Sequence, residues 1–243
     1  MKDPWSKIKT WLTKNHPEII CTLNVGASLN DYQELELTIG TSMPDDFKEF
    51  YTIHNGQLFT HLCLFDGDIL LSVCDIIREW KQWNDILPII HTNCIEQFGS
   101  PAESNSDPGI KGDWWNPLWI PITANGSGDN ICIDLDPSHK GRRGQIIRMC
   151  HDDPQRELLA PSFRQWISNY IADLENGIYE ASNDIGWGEG SHKGKLASRQ
   201  INKSAAKMVL GKAEGKVLYG KTPSCARLRQ YLSVKRFFVK HSF

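Results

Sequence analysis

Between residues 113 and 149 the apolar positions come in three short runs, 119–122, 131–135 and 145–149, separated by two clusters rich in Gly, Asp, Asn and Ser. Runs of that length bounded by turn residues predict three successive strands of an antiparallel meander. The first turn, residues 124–129, carries Gly126 and Gly128, which reach positive φ without a Cβ clash. The second, residues 136–144, opens on Asp136-Pro137 and places Lys140, Arg142 and Arg143 at a solvent-facing tip. In the middle run Ile131, Ile133 and Leu135 alternate with Cys132, Asp134 and Asp136, which predicts one buried face and one polar, acidic face.

Elsewhere the period is helical. Trp5, Ile8, Trp11 and Leu12 predict a first helix with Pro4 in its first turn. Ser28 with Asp31 three residues on has the form of a capping box, and opens a second helix that buries Tyr32 and Leu35 and exposes Asp31, Glu34 and Glu36. A third runs from Pro44 at its first helical position, with Asp45 and Asp46 at the positive end of the dipole, to a stop at Asn55-Gly56; its stripe is Phe47, Phe50, Tyr51 and His54. Two strands, 58–65 and 69–72, are expected to meet at the hairpin dipeptide Asp66-Gly67. Val73, Ile76, Ile77, Trp80 and Trp83 predict a fourth helix, and Ile90, Cys94 and Phe98 a separate one after Pro88. Residues 99–112 have the composition of a surface insertion. Ser162 with Gln165 repeats the capping-box pattern before the stripe Phe163, Trp166, Ile167, Tyr170, Ile171 and Leu174, which Asn176-Gly177 closes. Helices with an antiparallel meander make the fold class α+β, with the globular domain ending near Glu180.

Charge divides the chain at the same place. Residues 1–180 hold 26 Asp and Glu against 14 Lys and Arg, a net of −12; residues 181–243 hold 3 against 13, a net of +10; the two sum to −2. An acidic body carries a basic, Gly-containing extension, whose two weakly apolar stripes (Ala197, Ile201, Ala205, Met208; Leu228, Tyr231, Leu232, Phe238) suit ordering on a partner better than independent folding. Seven cysteines without C-x-x-C spacing indicate reduced, buried thiols rather than a disulfide framework or a zinc ribbon. The first residues contain no apolar signal region, and no run approaches a membrane span of ~18 residues, so the expectation is a cytoplasmic protein with no membrane partner.

The ordered set W-N-P-L-W-I-P-I (115–122), N-G-S-G-D (125–129), I-D-L-D-P (133–137) and G-R-R-G-Q-I-I (141–147) resembles the central signature of the SUKH superfamily, the Smi/Knr group. M-P-D-D-F (43–47), N-G (55–56) and S-F-R-Q-W (162–166) extend the resemblance over roughly residues 5 to 180. It implies a single SUKH-like domain with a meander sheet packed on helices. It also implies a non-catalytic protein-binding role, foremost a bacterial immunity protein that blocks a basic toxin domain such as a nuclease. The family's fungal branch implies instead a scaffold or regulator of cell-wall assembly and signalling.

The chemistry visible in the sequence agrees with binding rather than turnover. His151-Asp152-Asp153 and the row Asp129, Asp134, Asp136 lack the D-x-D-x-D-G loop of a calcium site, so no metal, cofactor or catalytic residue is expected. Asn125-Gly-Ser-Gly128 lies between strands and lacks the helix dipole that holds a phosphate. His54 ends an apolar stripe, which suits a satisfied core histidine. Candidate partner-binding residues are Asp45, Asp46, Glu49, Asp129, Asp134 and Asp136, for charge complementarity with a basic protein, and Trp114 and Trp115 as aromatic anchors. For each carboxylate the competing role is solubility, and for the tryptophans it is core packing. Residues 193–243 supply a second candidate interface, for nucleic acid, through their positive charge.

Overall fold

The computed structural model describes residues 4–98 and 103–179. The elements run α1 Pro4–Asn15, α2 Pro17–Ile20, α3 Leu29–Ile39, α4 Asp45–Tyr51, β1 Ile69–Leu70, α5 Val73–Phe98, β2 Asn105–Ser106, β3 Trp119–Pro121, β4 Thr123–Ala124, β5 Asn130–Asp134, β6 Gln145–Met149, β7 Gln155–Ala160 and α6 Phe163–Glu175. The fold is α+β. A five-stranded sheet has the order β2-β7-β6-β5-β3, antiparallel throughout except for β2, which lies parallel to β7, while β1 and β4 form a separate antiparallel pair.

Strand β5 is buried along its whole length, so the expected polar face does not exist. Ile131 and Ile133 join Ile120 and Ile146 in a large core shared with α1, α3, α4 and α6. Cys132 points the other way, into a second cluster of Trp83, Trp115, Trp119, Ile147 and Met149. Period-2 alternation therefore sorts side chains between two apolar layers, not between core and water.

Four further expectations change. Helix α5 is continuous through Pro88, which sits on its exposed side. The buried stripe of Trp83, Ile90 and Cys94 runs past it, and this packing outweighs the ~3 kcal/mol that a mid-helix proline costs. Residues 58–65 form no strand; they are a loop held by Gln57, although the Asp66-Gly67 turn does close through reciprocal Phe65–Asp68 backbone bonds of 3.1 and 2.7 Å. Residues 103–112 are woven into the sheet edge through β2, with Ile110 buried beside Trp115, while 99–102 lie outside the described residues. Strand β7 and the short α2 were not expected: β7 alternates only loosely, exposing Gln155 and Glu157 and burying Arg156 and Ala160.

The caps follow the sequence more closely. Ser28 and Asp31 form a complete capping box. Pro44 precedes α4 as its N-cap rather than occupying the first turn, and α4 ends at Tyr51, well before Gly56. Gly56 serves another purpose: at φ 67° it brings two segments together so closely that a Cβ would overlap the Leu71 carbonyl carbon and the Ser72 nitrogen. Ser162 accepts from Gln165 N at 3.2 Å, but the Gln165 amide turns to Asn169, so only half of that box forms. Of the six described cysteines, only Cys94 and Cys132 are buried; Cys21 and Cys74 are exposed, and all six are free thiols. No helix among the described residues is long and apolar enough to cross a membrane. The basic extension, residues 181–243, lies outside the described residues.

Candidate interaction site

The eight sequence candidates fall into three separate neighbourhoods. The first is α4 against the start of α6. Asp45 is exposed and makes no side-chain hydrogen bond within the described residues. Asp46 turns inward, accepting from Phe47 N at 3.0 Å and from Arg164 N at 2.8 Å. It thereby satisfies a free donor at the N-terminus of α6, where a carboxylate also meets the positive end of the dipole. Glu49, mostly exposed, pairs with the Arg164 guanidinium at 2.7 Å. Nearby, Lys48 pairs with Glu36 at 2.6 Å, and Arg143 from the β5–β6 turn donates to Thr41 Oγ1 and Ser42 O.

The second neighbourhood joins Asp134 and Asp136 to the loop before β3. Asp134 is 0% exposed and cannot meet a partner. Its carboxylate accepts from Asp136 N at 2.9 Å and Gln145 Nε2 at 2.8 Å. Burial nevertheless pushes it up to about 6, more than those bonds pull it down. Asp136 accepts both Lys111 Nζ at 2.6 Å and Asn116 Nδ2 at 2.9 Å. Desolvation opposes its charge, but Lys111 and Asn116 outweigh it and hold Asp136 below the usual carboxylate range. Gln145 Nε2 also donates to Gly109 O at 2.9 Å, so the whole group ties residues 109–118 to the β5–β6 hairpin.

Behind this loop lie the two tryptophans. Trp114 is 1% and Trp115 2% exposed, which removes both from any surface; their role is packing. Trp115 stacks on Trp83 with centroids 5.1 Å apart, and the Arg156 guanidinium lies 5.0 Å from the Trp114 ring centre. Arg156 is itself fully buried and donates to the carbonyls of Trp114, Asp153 and Gln155. Burial lowers its pKa to about 10.

The third neighbourhood closes the β4–β5 turn onto the end of β6. Asp129 accepts from His151 N at 2.9 Å, His151 Nδ1 at 2.8 Å and Asn125 Nδ2 at 2.8 Å. Burial works against its charge, but the His151 and Asn125 bonds prevail and lower it to about 2. One ligand atom each from Asp129, His151 and Asp152 lie within 4.8 Å of one another, a metal-like spacing. Both Asp129 oxygens already accept hydrogen bonds, so the residues fit a clamp on the turn better than a cation cage. His54 is half-buried rather than a core residue: its Nδ1 sits 2.7 Å from Asn24 O and its ring meets Trp5 edge-on at the border of the core.

One surface feature had no place among the candidates. Backbone bonds from Ala27 N to Tyr51 O, Asn55 N to Val25 O, Asn24 N to Gly56 O and Leu58 N to Thr22 O join residues 22–27 and 51–58 into a two-stranded ribbon. Along it stand Ile53, Val25, Leu58 and the adjoining Phe59, 39%, 87%, 54% and 60% exposed, with Leu29 at one end 79% exposed. The signal available was that Leu29 and Leu37 are apolar yet fall outside the buried stripe of Tyr32, Leu35 and Ile39 on α3.

Residues 26–169 match the model of the SMI1 / KNR4 family (SUKH-1). The glucan synthesis regulatory protein of Neurospora crassa is 26% identical over 209 residues, covering 74% of this chain and 39% of that protein. The cell wall biosynthesis/cell cycle regulator smi1 of Schizosaccharomyces pombe is 27% identical over 198 residues, covering 76% and 38%. The cell wall assembly regulator SMI1 of Saccharomyces cerevisiae is 22% identical over 209 residues, covering 74% and 41%. The chain thus spans about two fifths of the length of these relatives. With the meander signature, the α4 motif and the α6 cap falling inside one matched stretch, this chain belongs to the SMI1/KNR4 family (SUKH-1).

Proposed function

We propose that this protein is a regulator, the role its fungal relatives' names give them, rather than an immunity protein that neutralises a toxin, and that it acts without catalysis by binding another protein. The observation that carries this is the match over about three quarters of the chain to fungal proteins named as regulators of cell-wall assembly or glucan synthesis. Those names lend the toxin-neutralising reading no support. The geometry is consistent with a role without turnover: Asp129, Asp134, Asp136 and His151 are each committed to hydrogen bonds that fix loops. Asp45 and Glu49 remain at the surface of α4, where they suit a basic partner.

The test is a chimaera in which the matching part of the budding-yeast relative is replaced by this chain. The chimaera is expected to restore growth under cell-wall stress, and a version carrying Asp45→Lys and Glu49→Lys to restore it less well at equal abundance. A folded, abundant chimaera that restores nothing overturns the proposal. So does substrate turnover by the purified chain.

A further inference from the structure

We infer that the exposed apolar ribbon is a docking site for this chain's own basic segment, residues 221–240. The ribbon exposes Val25, Ile53 and Leu58 to solvent, with exposed Leu29 at the start of α3 and Phe59 just past Leu58. Contiguous apolar surface of this kind on a monomeric protein marks a binding site rather than ordinary surface. The stretch of chain that builds it is acidic, although Arg164 pairs with Glu49 and Arg143 reaches Thr41 and Ser42. Between residues 16 and 66, the span that contains the whole ribbon, the chain carries eight carboxylates (Glu18, Asp31, Glu34, Glu36, Asp45, Asp46, Glu49, Asp66) and one cation, Lys48, itself paired with Glu36. An occupant must therefore be both apolar and strongly basic.

Residues 221–240 have that composition. They contain six Lys and Arg, no Asp or Glu, and interleaved Leu228, Tyr231, Leu232, Phe237 and Phe238. The chain also leaves the domain at the right end. Tyr179 lies against Tyr170 with centroids 5.5 Å apart, and Tyr170 Oη donates to Leu64 O in the loop that carries Leu58 and Phe59. From Tyr179 to Lys221 is 42 residues, a reach of up to ~140 Å, so no geometric barrier separates segment from ribbon. Tethering raises the local concentration to about the millimolar range, which makes a modest intrinsic affinity sufficient. Attraction between opposite charges supplies the encounter, and apolar contact with Phe59, Leu58 and Val25 supplies the register.

Photo-crosslinking of the full chain at low concentration tests this. With p-benzoylphenylalanine in place of exposed Phe59, the monomer-mass product is expected to join residue 59 to a peptide from 221–240. The yield should be roughly tenfold that from the same probe in place of Ile89, which is exposed on α5. Replacing Arg227, Arg229, Lys235 and Arg236 by Glu, all outside the described domain, should bring the Phe59 yield down to the Ile89 level. Equal yields at the two positions overturn the inference, as does a yield unaffected by the charge reversal. Crosslinks at dimer mass overturn it too, because a second copy would then cover the ribbon. The outcome is independent of the yeast chimaera, which carries no crosslinking readout.

Discussion

Gln57 sets the position of the loop beneath the ribbon, and its replacement by Leu gives the sharpest test of how that surface is built. The side chain is 1% exposed and makes four hydrogen bonds. Nε2 donates to Thr22 Oγ1 and Leu62 O, and Oε1 accepts from Leu64 N and Leu70 N, all at 3.0 Å. Leucine fills similar space but orphans two buried N–H donors, each costing ~1–3 kcal/mol. Removing the buried amide and adding apolar contact return ~1–2 kcal/mol. The net loss is thus about 3 kcal/mol, and for a chain of this size each kcal/mol moves Tm by about 2–4 °C, giving about 6–12 °C. Urea unfolding measures the first figure, calorimetry the second. Hydrogen exchange supplies the local signature: the Leu64 and Leu70 amides should lose protection before those of β5 and β6. A loss under ~1 kcal/mol, or one that leaves these two amides as protected as before, refutes the assignment of Gln57 as the tie that holds the loop.

Other perturbations separate neighbouring causes. Asp68 is 5% exposed, and burial raises its pKa to about 6 although Thr123 Oγ1 donates to it at 2.8 Å. A carboxyl raised above its unfolded value of 3.8 favours the protonated folded form, so its contribution is full below pH 3.8 and lost as pH rises through about 6. Asp68→Asn should therefore be more stable than the wild type at pH 7.5, by roughly 1–3 kcal/mol, and the difference should vanish near pH 4; denaturant titrations at both pH values check it. Gly40 and Gly56 both have positive φ, but a Cβ at Gly40 meets nothing within 4 Å whereas one at Gly56 overlaps backbone. Gly40→Ala should cost ~1 kcal/mol and Gly56→Ala about 3 or more, as compared by urea midpoints. Asp46→Ala removes the carboxylate from Arg164 N and should cost ~1 kcal/mol, whereas Asp45→Ala should leave the unfolding midpoint unchanged.

Helices α1, α3, α4 and α6 and the meander could be read from the sequence because each is specified locally. Ser28 and Asp31 cap α3 regardless of what surrounds them, and the α6 stripe is buried at all six expected positions. What escaped was set by contacts distant in sequence. Strand β7 carries Arg156, which looks like a surface residue until Trp114, 42 positions away, supplies both a ring and a carbonyl. Asp134 looks like the exposed side of a two-faced strand because nothing local reveals that α5 and residues 110–119 cover that side. The ribbon was missed for the opposite reason: it depends on Gly56 and on hydrogen bonds between segments some thirty residues apart, and its apolar side chains do not recur at helix or strand period.

The carboxylates sort by how many donors each already serves. Asp129 and Asp136 accept three hydrogen bonds each, and Asp134 accepts two while excluded from water; recruiting any of them to a partner would mean breaking a loop. Asp45 serves no described side-chain donor and Glu49 serves one exposed arginine, so the charge available for recognition lies on the α4 side of the domain, within the same acidic span as the ribbon. A basic partner arriving there meets the same field that attracts residues 221–240. The two ligands would then compete, and the partner's apparent affinity would be reduced by the fraction of molecules whose ribbon is already covered. Replacing Arg227, Arg229, Lys235 and Arg236 by Gln should therefore strengthen binding of a basic partner, even though the domain becomes no more acidic. If the segment instead delivered the partner, the same change would weaken binding, so the sign of that one measurement separates self-masking from recruitment.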